Sequence, residues 1–365
     1  RITDYLAQAF TQNTPLIIHP KISKDTFTAP VIPHSLAFLA KNQDKQIKTV
    51  ERDSVSTNSE LQYPDASVTR EKTRASLKIQ DGCDFMCSFC IIPFARGRSR
   101  HRDFSNLQEE ARMLVQEGAQ EIVITGVNVG TYKTRELTIV DVVDFLNTLP
   151  GLARIRISSI EPTTVPETLF QYMSDPQHKL VPFLHLPLQS GSDAVLQKMK
   201  RCYSAAEYAD EIQMAFETVP DLCIGTDLMV GFPEESEAEF ESTLKLLEKL
   251  PLAYFHVFPF SARKGTPAFK KKEQVPPPIK LLRGKKLRSL SSKKRRDFHQ
   301  RFLGQTRKVL WESRKTDGTI SGYTDNYIRV DLDDTTGSAL RNQILPTRLT
   351  RLLAQSMAGK IILDA

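Results

Sequence analysis

The sequence predicts an α/β protein in which a partial (β/α)6 barrel is followed by a small all-β barrel at the C-terminus. Three observations carry this expectation. Residues 75–260 repeat a strand-then-helix pattern six times, the mark of a parallel α/β architecture. A cysteine-rich run, Ile79–Arg102, follows the first of these strands, and parallel α/β sites gather at the C-terminal ends of strands. From Gly304 onward the pattern shortens to β segments divided by turn signals.

At 365 residues the chain can bury a sizeable core and holds more than one domain. Its 40% hydrophobic and 25% charged residues describe an ordinary globular protein, and a net charge of +7 fits an anionic partner without identifying it. Five cysteines, three of them in one loop, do not make a disulfide framework, so a reducing, cytoplasmic setting is expected. No apolar run approaches a membrane span, and the first thirty residues lack a signal pattern, so no membrane partner is expected. The chain starts at Arg1 rather than Met and reads as a fragment.

Residues 1–65 carry the least pattern. RITDYLAQAF fits one amphipathic helix, prolines at 15, 20, 30 and 33 interrupt the stretch after it, and Lys41 to Ser67 reads as a polar linker. Strands are expected at Leu77–Gln80, Glu121–Thr125, Arg154–Ser158, Phe183–Pro187, Cys223–Val230 and Tyr254–Pro259. Ser105 with Gln108, Ser204 with Glu207 and Ser236 with Glu239 read as capping boxes. A helix Asn106–Glu117 should end in a left-handed cap at Gly118. Residues 262–303 form a basic connector in which Lys293, Lys294, Arg295 and Arg296 crowd positive charge; a solvated helix face and RNA backbone contact are both open. Beyond it VLW, then IRVDL with Ile328, Val330 and Leu332 alternating, then KIILD read as strands of a compact barrel, with turns at Asp317-Gly318 and Thr336-Gly337.

The chemistry lies in the cysteine loop. Cys83, Cys87 and Cys90 give C-x3-C-x2-C within eight residues. A structural zinc ion wants four protein ligands, whereas three thiolates on a cubane iron–sulfur cluster leave one iron open to substrate. His101 completing a Cys3His zinc site, and a plain reactive-thiol loop, are the alternatives. Cys202 and Cys223 have no partner spacing and read as structural.

That spacing, with Phe89 just before the third cysteine, resembles the radical S-adenosylmethionine (SAM) enzymes. The longer string GCDFMCSFCIIPFARG followed by RSR is similar to their methylthiotransferase branch. ASLKIQ, RISSIEP, SARKGTPA and GYTDNY resemble its MtaB type, which adds a methylthio group to threonylcarbamoyladenosine in tRNA. The likeness runs from about Arg74 to the C-terminus. It implies a 4Fe-4S cluster on Cys83, Cys87 and Cys90, with SAM as cofactor, tRNA as partner, an electron donor such as flavodoxin or ferredoxin, and a monomer. It also implies a radical SAM core with its basic connector over residues 70–303, a TRAM RNA-binding barrel over 304–365, and the tail of an N-terminal methylthiotransferase domain over 1–65. That domain normally carries three more cysteines for a second cluster, and none precedes Cys83. These residues are therefore expected to cleave SAM without installing sulfur.

The resemblance also distributes roles. Phe89 and the strand-end residues Gly126, Asn128, Ser159, Glu161, Gln189, Arg201 and Gly231 would bind SAM, with Arg201 suited to its carboxylate. Asn128 stands as a neutral substitute for the acid of the family's Gly-Gly-Glu, and Glu234 replaces the commoner Gly beside Gly231. A strand-end salt bridge is the plainer reading of Glu161, and His185 reads as a satisfied strand residue. Tyr323, Tyr327 and Arg329 would stack on or pair with RNA, burial in the barrel being the other reading of the tyrosines. The rival assignments are the isopentenyladenosine tRNA enzyme, the ribosomal-protein aspartate enzyme, and a non-catalytic RNA-binding protein with a structural metal.

Overall fold

In the computed structural model, which describes residues 26–27, 73–312, 318–332 and 340–362, six parallel strands form the first domain. In chain order come β1 (Arg74–Lys78), β2 (Gln80–Asp81), β3 (Arg100–His101), β4 (Glu121–Thr125), the hairpin β5 (Lys133–Thr134) and β6 (Leu137–Thr138), β7 (Arg154–Ile157), β8 (Phe183–His185), β9 (Cys223–Val230) and β10 (Tyr254–Pro259). Strands β1, β4 and β7 pair in parallel, as do β8, β9 and β10. A single parallel bridge, Ile155 to Leu180, joins the two halves. The helices are α1 (Ile92–Ala95), α2 (Phe104–Gln116), α3 (Ile139–Thr148), α4 (Thr168–Ser174), α5 (Asp193–Met199), α6 (Ala205–Thr218), α7 (Glu237–Lys249) and α8 (Pro277–Gln300).

The strands are buried on both faces, for two different reasons. In β7 the sequence RIRI turns Ile155 and Ile157 into the apolar core beneath the helices, while Arg154 and Arg156 project the other way. Arg156 meets Glu121 of β4, with Nε 2.7 Å from Oε1, inside the lumen of the half-barrel. Alternation here divides an apolar interior from a polar one, not core from solvent.

The capping boxes at Ser204–Glu207 and Ser236–Glu239 are present. The expected box at Ser105–Gln108 is not. Helix α2 begins at Phe104, and Asp103 caps it by accepting from the Asn106 N–H at 3.0 Å. The reason is local pairing. Arg102 N donates to Ile79 O at 2.8 Å and Asp103 N to Phe27 O at 2.9 Å, so the chain stays extended until Asp103. Gly118 does close this helix with φ +88°, and its N–H bonds Val115 O at 2.8 Å.

Helix α8 runs along the edge strand β10. Ser291 Oγ accepts from Phe255 N at 2.9 Å and donates to Phe255 O at 2.7 Å, standing in for a neighbouring strand. Among the described residues no helix is long and apolar enough to cross a membrane.

The C-terminal domain is a closed five-stranded barrel, β11-β12-β13-β15-β14, formed by β11 (Thr306–Trp311), β12 (Ser321–Thr324), β13 (Arg329–Leu332), β14 (Ile344–Leu352) and β15 (Met357–Ile361). Val309, Trp311, Val330, Leu349 and Met357 fill it. VLW falls in β11 and IRVDL overlaps β13, but KIILD is offset, since its strand starts at Met357. Asp317 and Thr336-Gly337 lie outside the described residues, as do residues 1–65 apart from Thr26 and Phe27.

The barrel covers the N-terminal ends of the parallel strands. Arg154 donates to the carbonyls of Lys308 at 2.6 Å and Tyr323 at 3.0 Å, and Arg156 to Asp325 O at 3.0 Å. Arg307 bridges Asp221 at 2.6 Å and Asp325 at 2.8 Å. The opposite, C-terminal end of the sheet carries the cysteine loop.

Candidate active site

The loop is folded back on itself by Gly82 and pinned at three points. Gly82 has φ +72°, and a Cβ there would lie 2.1 Å from Arg98 O, so only glycine fits while Cys83 N bonds Gly97 O at 3.2 Å. The Gln80 side chain donates to Gly82 O at 2.8 Å and Ser99 Oγ at 2.9 Å, and its Oε1 accepts from Val127 N and Asn128 N at 2.9 Å each. One amide thus couples the cysteine loop to the turn after β4. Ser88 bonds Met199 O at 2.9 Å through its N–H and Lys198 O at 2.8 Å through its hydroxyl, tying the loop to the end of α5. Phe89 packs on the Val195, Met199, Phe232 and Phe260 cluster and so anchors the loop beneath the cysteines.

Two of the thiols, Cys83 and Cys87, lack the lowered pKa of an activated nucleophile. Burial pushes Cys83 up to about 11, and burial also raises Cys87, against the pull of Arg201. Reactive thiols show the opposite shift, whereas a metal displaces such protons outright. A single zinc ion would also draw its sulfurs to within about 4 Å of one another. Among the described residues the one trio of ligating side chains within 4.8 Å is His185, Asp227 and His256, not the cysteines. A wider-set group of three thiols on one loop fits a cubane cluster better than one ion.

Around the loop, Arg201 is the organising side chain. Its Nη1 lies 3.4 Å from Cys87 Sγ, its Nη2 holds the Glu161 carboxylate, and Nε bonds Tyr203 Oη at 3.0 Å. Tyr203 Oη in turn donates to the Pro187 and Leu188 carbonyls at 2.8 and 3.0 Å. Burial raises the Glu161 carboxyl, which Arg201 opposes. Glu161 therefore forms the strand-end salt bridge that was its plainer reading, with the partner expected for the SAM carboxylate.

The remaining strand ends are set mainly by backbone. A Cβ at Gly126 would press on Gln80 O at 3.1 Å. Asn128 is buried; its Oδ1 accepts from Thr164 Oγ1 at 3.2 Å, and its Nδ2 has no partner. That orphaned donor is what a ligand in this cleft would satisfy. Ser159 Oγ lies 2.9 Å from His185 Nδ1. Gln189 has φ +72° and exchanges backbone bonds with Asp227 and Met229 at 2.8 and 2.9 Å. Gly231, at φ +70°, donates to Glu235 Oε2 at 2.7 Å beneath the stem of Lys280.

Below this rim the lumen holds a cavity of about 610 Å³, reaching from Ser159 and His185 to the seam with the C-terminal barrel. Asp227 pairs across the β9–β10 register with His256 and lies 3.3 Å from His185 Nε2. Gly225 leaves room for these rings, since a Cβ there would sit 2.6 Å from the Tyr254 ring. Tyr323 and Tyr327 stack at 4.9 Å, with Phe183 4.5 Å and Arg156 4.9 Å from Tyr327. Both tyrosines line the cavity rather than the outer face of the barrel. Arg329 bonds Asp331 and Ser321 at 3.1 Å each. Of the connector cations, Lys294 donates to the carbonyls of Glu248 and Leu250, Arg295 lies over the Tyr254 ring at the cavity wall, and Lys293 and Arg296 are exposed. Gln80, Tyr203, Asp227 and His256 are the site residues that the sequence did not single out, and His185, read there as a satisfied strand residue, joins the last two.

A parallel half-barrel with three cysteines after its first strand is the architecture of a radical SAM domain, and residues 77–247 match the profile of the Radical SAM superfamily. A threonylcarbamoyladenosine tRNA methylthiotransferase MtaB from Chlamydia pneumoniae is 35% identical over 80% of this chain and 68% of its own length. The MtaB of Bacillus subtilis is 35% identical over 77% of this chain and 64% of its length. A tRNA-2-methylthio-N(6)-dimethylallyladenosine synthase from Ehrlichia chaffeensis is 31% identical over 93% and 78%. The chain belongs to the radical SAM tRNA methylthiotransferase family, whose members are iron–sulfur and SAM-dependent enzymes. It spans roughly two thirds to three quarters of these relatives' lengths, 64% to 78%, and its closed C-terminal barrel is consistent with a TRAM-type domain.

Proposed function

We propose that this chain supplies the SAM-cleaving and adenine-binding part of a tRNA methylthiotransferase acting at carbon 2 of N6-threonylcarbamoyladenosine, at position 37 beside the anticodon. Relatives of both substrate types match at similar identity, 35% and 31%, so the lumen carries the choice. Its wall presents Ser159, His185, Asp227, His256 and Arg295. Those polar groups can hydrogen-bond a ureido amino acid, whereas an isopentenyl group could use only the apolar remainder of the lining, such as Phe183 and Tyr254.

In this reading Cys83, Cys87 and Cys90 hold the 4Fe-4S cluster, and Gly126, Asn128, Ser159, Glu161, Gln189, Arg201 and Gly231 surround SAM. When bound and reduced, the two together would supply a radical able to remove hydrogen from carbon 2 of the adenine. The protein's share is placement and exclusion of water. Phe89 and Ser88 fix the loop from behind, Gln80 locks it to the turn after β4, and Arg201 keeps the neighbouring carboxylate compensated. The second cluster of the family would need cysteines beyond the five present here, since Cys202 is exposed and Cys223 is buried in β9. Exposed Lys293 and Arg296 on α8 suit tRNA phosphates.

Mass analysis of tRNA nucleosides from a strain lacking the gene tests this reading. Loss of the methylthio group from threonylcarbamoyladenosine is expected; loss from isopentenyladenosine instead would contradict it.

A further inference from the structure

One side of the lumen is a continuous polar wall. It starts beside the cysteine loop, where Arg201 touches Cys87 and holds Glu161. Two residues before Glu161, Ser159 Oγ contacts His185 Nδ1 at 2.9 Å. His185 faces Asp227, 3.3 Å from Nε2, and the His256 ring at 5.9 Å. His256 packs edge-on against Tyr254 at 5.4 Å, and the Arg295 guanidinium lies 5.1 Å over Tyr254. The wall thus runs from the reactive end of the cleft to a guanidinium.

Arg295 differs from the other arginines around this cavity. Arg74 pairs with Glu312, Arg156 with Glu121 and Arg329 with Asp331. Among the described residues Arg295 has no carboxylate at ion-pair distance; its contacts are the Gln355 side-chain oxygen and the Tyr254 ring. At the other end, His185 Nε2 is buried and makes no well-aligned hydrogen bond, with the Asp227 carboxylate 3.3 Å away.

Resting on the proposed substrate, we infer that this wall is the receptor for the anionic N6-substituent, with Arg295 binding its carboxylate and Asp227, His185 and His256 engaging its ureido N–H groups and hydroxyl. A guanidinium fork matches a carboxylate in two parallel hydrogen bonds. An adenine whose carbon 2 faces the cysteine loop then directs N6 along the wall. An uncharged alkyl substituent offers Asp227 and Arg295 no hydrogen bonds of its own, and those unmade bonds are how a polar pocket disfavours an apolar analogue.

The test is binding of three anticodon stem-loops to the cluster-loaded protein: one carrying threonylcarbamoyladenosine, one its carboxyl methyl ester, one isopentenyladenosine. The unaltered protein should bind the free acid about tenfold or more tightly than the ester. Arg295→Gln should erase that preference while iron content and melting temperature stay unchanged, and Arg295→Lys should restore part of it. Equal binding of acid and ester by the unaltered protein, or a preference that survives Arg295→Gln, overturns the inference and leaves the proposed substrate standing. A preference for the isopentenyl stem-loop overturns both.

Discussion

Arg201 places one guanidinium nitrogen 3.4 Å from the Cys87 sulfur and another on the Glu161 carboxylate, so a single side chain joins the cysteine loop to the end of the third core strand, β7. Both charged groups are largely withdrawn from solvent. Arg201→Met would strand Glu161 in a buried site, where breaking an ion pair costs about 3–5 kcal/mol. The expected result is a lower denaturation midpoint for the metal-free protein together with weaker iron retention. Glu161→Gln should be milder, since Arg201 keeps Tyr203 and the Pro187 carbonyl. Equal effects of the two changes would contradict this ordering.

Gly82 tests whether loop geometry, apart from the cysteines, holds the cluster. Alanine there meets Arg98 O at 2.1 Å in a left-handed conformation. Strain of about 1–3 kcal/mol is expected, concentrated in the loop. Gly82→Ala should reduce iron bound after anaerobic reconstitution while far-ultraviolet circular dichroism is preserved. Full iron content would show that the loop can rearrange.

Glu121 links stability to pH. Burial alone would push its carboxyl up, but Arg156, with Arg154 and Arg74, holds it below the usual carboxylate range. A depressed folded value means that the stabilisation is present above the unfolded value, near 4.3, and is lost as pH falls through the folded one. Glu121→Gln should therefore cost about 3 kcal/mol at neutral pH and flatten the acid limb of the stability curve. Urea titrations between pH 7 and pH 3 read both effects. Because Arg154 and Arg156 also hold the C-terminal barrel, the variant should separate the two domains' unfolding transitions.

Deleting the barrel would uncover those same arginines, so RNA contact is better probed from the surface. Lys293 and Arg296 are exposed, whereas Lys294 and Arg295 are engaged by the protein. Changing Lys293 and Arg296 together to Gln should weaken tRNA binding and reduce the slope of log K against log salt by about two. The same pair of changes at Lys294 and Arg295 should instead disturb α7 packing and the cavity. An unaltered slope in the first variant would place the phosphate contacts elsewhere.

The core strands were legible because each is a short apolar run with turn signals at its ends: Glu121–Thr125, Cys223–Val230 and Tyr254–Pro259 lie where expected. The cysteine loop was legible from spacing alone. What escaped depends on partners distant in sequence. Asp103, not Ser105, caps α2 because Phe27 and Ile79 hold the backbone extended up to it. Strand β14 contains Pro346, a residue that argues against a strand until β11 supplies the pairing. The polar wall could not be read from its residues singly, since His185, Asp227 and His256 meet only through the registers of β8, β9 and β10. Gln80 looked like the end of a strand and is the clamp of the loop.

The central claim is that Cys83, Cys87 and Cys90 hold a cluster with one iron open to SAM, and the most direct measurement is product formation from SAM itself. Anaerobically reconstituted protein with about four irons and four sulfides, given reductant and SAM, should release 5′-deoxyadenosine and methionine, and Cys87→Ala should release neither. Protein that carries the full cluster yet leaves SAM intact would contradict the account.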